Sequence, residues 1–159
     1  MDTAFLIAEI KSRPAHDVRC ERILVAIDGS HASFHAATWA IELGRGTGAE
    51  LTVLMVVDYD AHVSAFEQVS TSGYLPAELK ISAYRLLAEL MHEIPHNVRA
   101  HPRVAEGNPG ETIVAVAAEE ESDLIVMGTR GFGTFERIAF GSVSSYVSKH
   151  AHCPVFLSK

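Results

Sequence analysis

Four residues in the stretch DLIVMGTRGFGTFERIAFGSVS, Asp123–Ser144, have the types and spacing to hold an anion. Gly128, Gly131, Gly141 and Ser142 follow the pattern Gly-x2-Gly-x9-Gly-Ser. An apolar run, Leu124 to Met127, stops at Gly128, and a helix-like segment follows the last glycine. Glycines let backbone N–H groups approach a phosphate closely. A helix start adds free N–H donors and the positive end of a dipole. Ser142 and Ser144 add hydroxyls that could donate to phosphate oxygens or coordinate an accompanying metal ion through an oxygen lone pair. A glycine-rich turn that merely reverses the chain would look the same.

Two common phosphate motifs are excluded. No lysine follows any of these glycines, so the segment is not a P-loop. The glycine spacing, and its place at the far end of the chain, also rule out the dinucleotide fingerprint.

The glycines need elements to position them. Ile23–Ile27 is a strand-length apolar run that ends at Asp28-Gly29-Ser30. The next helix is capped by Ser30 or Ser33 and has Gly44 just past its end. Phe34, Ala37, Ile41 and Trp39 are expected on its apolar side. Leu51–Val57 is a second strand, closed by Asp58, and a polar loop spans residues 59–75. Pro76 opens a long helix with Leu79, Ala83, Leu86, Leu87, Leu90 and Ile94 on one face, and Pro95 stops it. Val98–Ala105 is a strand whose internal Pro102 indicates an edge or a bulge. Asn108-Pro109-Gly110-Glu111 starts a helix, with Ile113, Val114, Ala117 and Ala118 expected inside. Asp123–Met127 is a strand, Ile138 or Gly141 to His150 a helix, and Pro154–Leu157 a final strand.

Strands and helices alternate throughout. That order predicts an α/β fold with a parallel sheet and helices on both faces. Ligands in such sheets sit beyond the carboxyl ends of the strands, where the winding reverses. The strands ending at Asp28 and Gly128 can be neighbours there, with a carboxylate beside the glycine loop.

The bulk composition fits one ordinary soluble domain. The chain has 159 residues, 48% hydrophobic and 21% charged, enough to bury a full core. A net charge of −7 argues against a broad basic face for nucleic acid. The two cysteines, Cys20 and Cys153, read as free thiols of a cytoplasmic protein. The run His150-Ala151-His152-Cys153 has metal-ligating types, but it leads straight into Pro154 and a strand. The first residues, MDTAFLIAEIKSRPAHD, are too charged and too short for a signal peptide or a membrane span. They are expected to form an extension, residues 1–21, before a domain at 22–159.

From Arg22 to Lys159 the chain resembles the universal stress protein family. The match rests on ILVAIDGS at Ile23–Ser30, on LTVLMVVD at Leu51–Asp58, and on the glycine motif with its closing CPVFL. The register of Gly128, Gly131, Gly141 and Ser142 resembles the ATP-binding subgroup. The resemblance implies a single-domain, open, mostly parallel five-stranded sheet in the order 3-2-1-4-5. This is a Rossmann-like fold of the adenine nucleotide alpha-hydrolase-like type.

The resemblance also implies that Asp28 lies near the ribose, with Ala26 and Val56 near the adenine and Ile27 also among the cofactor-binding residues. Met127 and Gly128 line the same pocket. Gly131, Gly141, Ser142, Val143 and Ser144 surround the phosphates, with Mg²⁺ or Mn²⁺ accompanying ATP. Arg130, a departure from the family's loop, could add positive charge, since a guanidinium pairs well with phosphate oxygens. Arg137 could add a further positive charge. No catalytic residue or protein metal ligand is implied. The C-terminal strand is expected to pair across a homodimer, with no nucleic acid or membrane partner.

The expected role is that of a nucleotide-dependent regulatory module in a stress response. One alternative is a slow ATP hydrolase or phosphotransferase. Another is a dimeric interaction protein without nucleotide. An adenylate-forming enzyme is discounted, because Asp28-Gly29-Ser30-His31 lacks the Ser-Gly-Gly-x-Asp-Ser loop.

Overall fold

A computed structural model of the chain describes residues 20–58, 75–129 and 141–159. The expected segments 1–21 and 59–75 fall largely outside these residues. So do Arg130, Gly131, Arg137 and Ile138.

The strands are β1 (Arg22–Ile27), β2 (Glu50–Val57), β3 (Ala100–Glu106), β4 (Leu124–Gly128) and β5 (Val155–Ser158). The helices are α1 (His31–Thr47), α2 (Leu75–Glu93), α3 (Pro109–Glu119) and α4 (Ser142–His150). All strand pairings are parallel, in the order β3-β2-β1-β4-β5. The expected architecture and strand order are therefore observed. β3 is an edge strand, which explains how Pro102 is tolerated opposite Val53.

Side chains alternate across the sheet and divide the core in two. Ile23, Val25 and Ile27 join Val53, Leu87 and the alanines of α1 on one face. Leu24, Ala26, Leu54, Ile125 and Met127 join Ile113, Val116 and Val147 on the other, under α3 and α4. Leu24, Leu54, Leu87 and Ile125 are essentially sealed from solvent. Each such side chain contributes about 1.5–3 kcal/mol of hydrophobic stabilisation.

Several boundaries and faces differ from expectation. The Ser30 hydroxyl caps α1, accepting from the Ser33 N–H. The helix then runs past Gly44 to Thr47 and ends at Gly48, whose φ is +76°. Gly44 is a packing residue, because a Cβ there would lie 2.8 Å from Leu51 Cδ1. The buried stripe of α1 is accordingly Ser33, Ala36, Ala37, Ala40 and Gly44. Ile41 packs only partly buried, and Trp39 is 47% exposed beside the Phe156 ring. Small residues win this face because the helix lies close against the sheet.

α2 keeps its expected face, with Ala83, Leu87 and the following Ile94 buried. On α3 the Asn108 side chain caps Gly110 and Glu111, as the sequence indicates. Its inner face turns to Val116 and leaves Ala118 exposed. Asp123 lies just before β4, where its Oδ2 accepts from the N–H groups of Glu21 and Arg22 at 2.8 and 2.9 Å. It ties the start of β1 to the start of β4. No helix among the described residues is long and apolar enough to cross a membrane.

Gly128 lies in close contact with the backbone at the start of α1. A Cβ there would lie 2.9 Å from the Ala32 carbonyl carbon and 3.1 Å from the Ser33 nitrogen. Backbone cannot yield as a flexible side chain can. Gly128→Ala is expected to destabilise the fold by about 1–3 kcal/mol, read as a lower Tm. An unchanged Tm would contradict this packing.

Candidate functional site at the carboxyl edge of the sheet

β1 and β4 are adjacent, with Ala26 paired to Met127. Their ends therefore bring Asp28 and Gly128 to one edge. Asp28 is exposed, and its Oδ1 accepts from the Ser30 N–H (2.9 Å) and from the Ser30 hydroxyl (2.6 Å). The tight turn passes through Gly29 at φ +88°. The carboxylate thus has a local turn role on a solvent-exposed residue.

The β4 chain leaves the sheet through Thr129, which is 4% exposed. Its N–H donates to the Ser158 carbonyl of β5 at 2.7 Å. Its carbonyl accepts from the Gly141 N–H at 2.8 Å and the Ser144 hydroxyl at 2.9 Å. Sequence reasoning missed Thr129, whose only signal is its place after the strand-ending glycine.

Gly141 is the N-cap of α4, in an extended conformation, and no side chain among the described residues caps this helix. A helix start leaves its first N–H groups without intrahelical partners, here those of Ser142, Val143 and Ser144. Ser142 is exposed and Val143 half-buried, whereas Ser144 is 2% exposed. The Ser144 hydroxyl hydrogen is committed to the interior, toward the Thr129 and Gly141 carbonyls.

Ala26 and Met127 belong to one buried cluster, with Val56 and Val143 partly buried against it. Ile27 does not join them. It is buried on the opposite face with the α1 alanines, as strand alternation requires. Arg130 and Gly131 lie outside the described residues.

Residues 20–159 match the sequence profile of the universal stress protein family. The chain belongs to the universal stress protein family. A universal stress protein of Methanocaldococcus jannaschii is 35% identical over 152 residues, covering 87% of this chain and 82% of that one. The universal stress protein UspA from Lactobacillus plantarum is 28% identical with a TM-score of 0.73, covering 90% of this chain and all of its own. Two more distant members share the fold. One is a universal stress protein in complex with cAMP, 22% identical with a TM-score of 0.64, covering 87% of this chain and 96% of that one. The other is an Arabidopsis thaliana protein with AMP bound, 19% identical with a TM-score of 0.56, covering 87% and 91%.

This universal stress protein has a second polar cluster at the opposite end of its sheet. A cleft of about 380 Å³ is lined by Arg22, Glu50, Thr52, His101 and Glu119 to Glu121. Thr52 is buried, and its hydroxyl donates to Glu120 Oε2 at 2.6 Å. A hydroxyl has one hydrogen, so the contact to His101 Nε2 at 2.9 Å must be donated by the imidazole. Arg103 bridges Glu119 and Glu120 at 2.6 and 2.5 Å, and these hydrogen bonds raise its pKa. Arg22 pairs with Glu121 at 3.2 Å. The cleft's carboxylates are thus largely engaged by the fold itself. Among the described residues, no group of His, Cys, Asp or Glu is placed to hold a metal ion. In the His150-Ala151-His152-Cys153 run, His150 Nδ1 lies 2.8 Å from the Tyr146 carbonyl.

Cys20 and Cys153 are both partly buried, free thiols. Burial pushes both pKa values up, and the charge of Asp123 adds to each; backbone hydrogen bonds partly oppose the shift at Cys153.

Two outcomes follow from these environments. Arg103→Ala leaves Glu120 with Thr52 alone and is expected to cost about 1–2 kcal/mol in a denaturant titration; no change would contradict a structural role. Because the folded thiols have raised pKa values, the unfolded thiols ionise first, and this favours the unfolded state as pH rises. The thiols' contribution to stability is fully present below about pH 8.5 and is lost as pH rises through the folded values. Both thiols should therefore alkylate more slowly in native protein at pH 8 than in urea, as read by mass spectrometry.

Proposed function

We propose that this universal stress protein is an adenine-nucleotide-binding regulatory module with ATP as its ligand. The observation that carries the reading is the N-terminus of α4, which no side chain among the described residues caps, set beside the end of β4 and one strand from Asp28. The donors fit a phosphate chain. Main-chain N–H groups at Ser142, Val143 and Ser144 meet its charge, and the exposed Ser142 hydroxyl adds a donor or a ligand for an accompanying Mg²⁺ or Mn²⁺. Asp28 suits a ribose, whose hydroxyls can donate to its carboxylate. Ala26, Val56 and Met127 supply an apolar wall for adenine. By family resemblance Gly131 completes the phosphate contacts, and the guanidinium of Arg130 adds positive charge that pairs well with phosphate oxygens. The cAMP and AMP complexes of distant members make this ligand class a natural candidate.

Binding acts as a signal only if ATP favours one state of the protein over another. Assembly is the state change proposed here. β5 is an edge strand, and beside it Trp39 is exposed, 5.7 Å from Phe156 by ring centroids. Pairing β5 with that of a second copy would cover an otherwise open edge.

Calorimetric titration tests the site. Wild type is expected to bind ATP–Mg²⁺. Gly141→Val, whose backbone conformation accepts valine, should lose at least about tenfold in ATP affinity while still binding adenosine. Asp28→Asn keeps the acceptor for Ser30 and should weaken adenosine and ATP alike, by about fivefold. No binding by wild type would refute the reading. Steady turnover abolished by Gly141→Val would favour the hydrolase instead.

Sedimentation tests assembly. A dimer at micromolar concentration, weakened by Trp39→Glu, is expected; a wild-type monomer with and without ATP would refute it.

A further inference from the structure

Ser144 belongs to the glycine–serine motif, yet its hydroxyl turns away from the solvent edge. It is 2% exposed and donates to the Thr129 carbonyl at 2.9 Å, with the Gly141 carbonyl also in range at 3.1 Å. A single hydroxyl hydrogen cannot serve these carbonyls and a phosphate together. The Thr129 carbonyl has two lone pairs, and both are taken by the first turn of α4, one by the Gly141 N–H and one by Ser144. Thr129 is itself held from the other side by its N–H bond to Ser158 of β5. The start of α4 is therefore strapped to a buried point between β4 and β5.

We infer that Ser144 is a positioning residue of the anion site and not a side-chain ligand: its hydroxyl holds the first turn of α4 against Thr129, so that main-chain N–H groups meet the anion. This rests on the nucleotide reading above. It assigns Ser142 and Ser144, two residues apart in one motif, opposite tasks. The exposed hydroxyl can touch ligand, and the buried one sets the direction in which the N–H groups point.

The test uses the full chain, labelled with ¹⁵N, and compares Ser144→Ala with Ser144→Thr. The first readout is hydrogen exchange of the Gly141 amide without nucleotide, and the second is ATP–Mg²⁺ affinity. Ser144→Ala is expected to speed exchange at Gly141 and to weaken ATP, each by about fivefold. Ser144→Thr, which keeps the hydroxyl, should restore both to within about twofold. If Ser144→Ala does not fold, Ser144→Cys, a weaker donor of similar shape, makes the same comparison.

Weakened ATP binding with unchanged exchange at Gly141 would make Ser144 a direct ligand and overturn the inference. Faster exchange with unchanged affinity would also overturn it, since the strap would then be irrelevant to the anion. Wild type that binds no ATP would refute the nucleotide reading first and this inference with it, an outcome visible before any variant is made.

Discussion

Parallel pairing of the five strands forces every strand to end at the same edge of the sheet. The helices that follow β1, β3 and β4 begin at that edge. Exposed helix starts and strand-end carbonyls therefore collect on one side of the molecule, and the C-terminal ends of α1, α3 and α4 collect on the other. Helix starts gathered at the first edge favour negative charge there before any particular side chain is considered. The second end gathers carboxylates near helix C-termini, which suits neither their charge nor the dipole. Arg22, Arg103 and the His101–Thr52 pair offset that mismatch.

The candidate site is built from residues that also serve the fold. Asp28 closes the turn after β1, and Ser30 caps α1. Gly128 lets the start of α1 lie against β4. Thr129 joins β4, β5 and α4 through backbone bonds. Rigid supports of this kind hold N–H groups in place before a ligand arrives, which lowers the ordering cost of binding. They also mean that a variant at this edge reports on stability and binding together.

Much of this was legible in the sequence. Apolar runs bounded by Asp28, Asp58 and Gly128 place β1, β2 and β4 to within a residue or two, because buried parallel strands are apolar on both faces. The Asn108-Pro109 start of α3 and the edge position implied by Pro102 are likewise readable, since each follows from the chemistry of one residue. Other features depend on contacts that no local pattern reports. Gly44 looks like a helix stop, yet it is a packing residue set by Leu51 on another element. Trp39 and Ala118 look like core by type and lie outside. Ile27 and Ala26 are adjacent in sequence and fall on opposite faces. The inward turn of Ser144 depends on Thr129, fifteen residues away.

The central claim is that the carboxyl edge of the sheet is where an adenine nucleotide binds. The most direct measurement is chemical-shift mapping of ¹⁵N-labelled full chain during titration with ATP–Mg²⁺. Perturbations centred on Asp28, Gly128 and Gly141 to Ser144 are expected, with Arg22, Glu50 and His101 at the far end unmoved. Shifts centred on the far cleft, or none at saturating nucleotide, would contradict the claim.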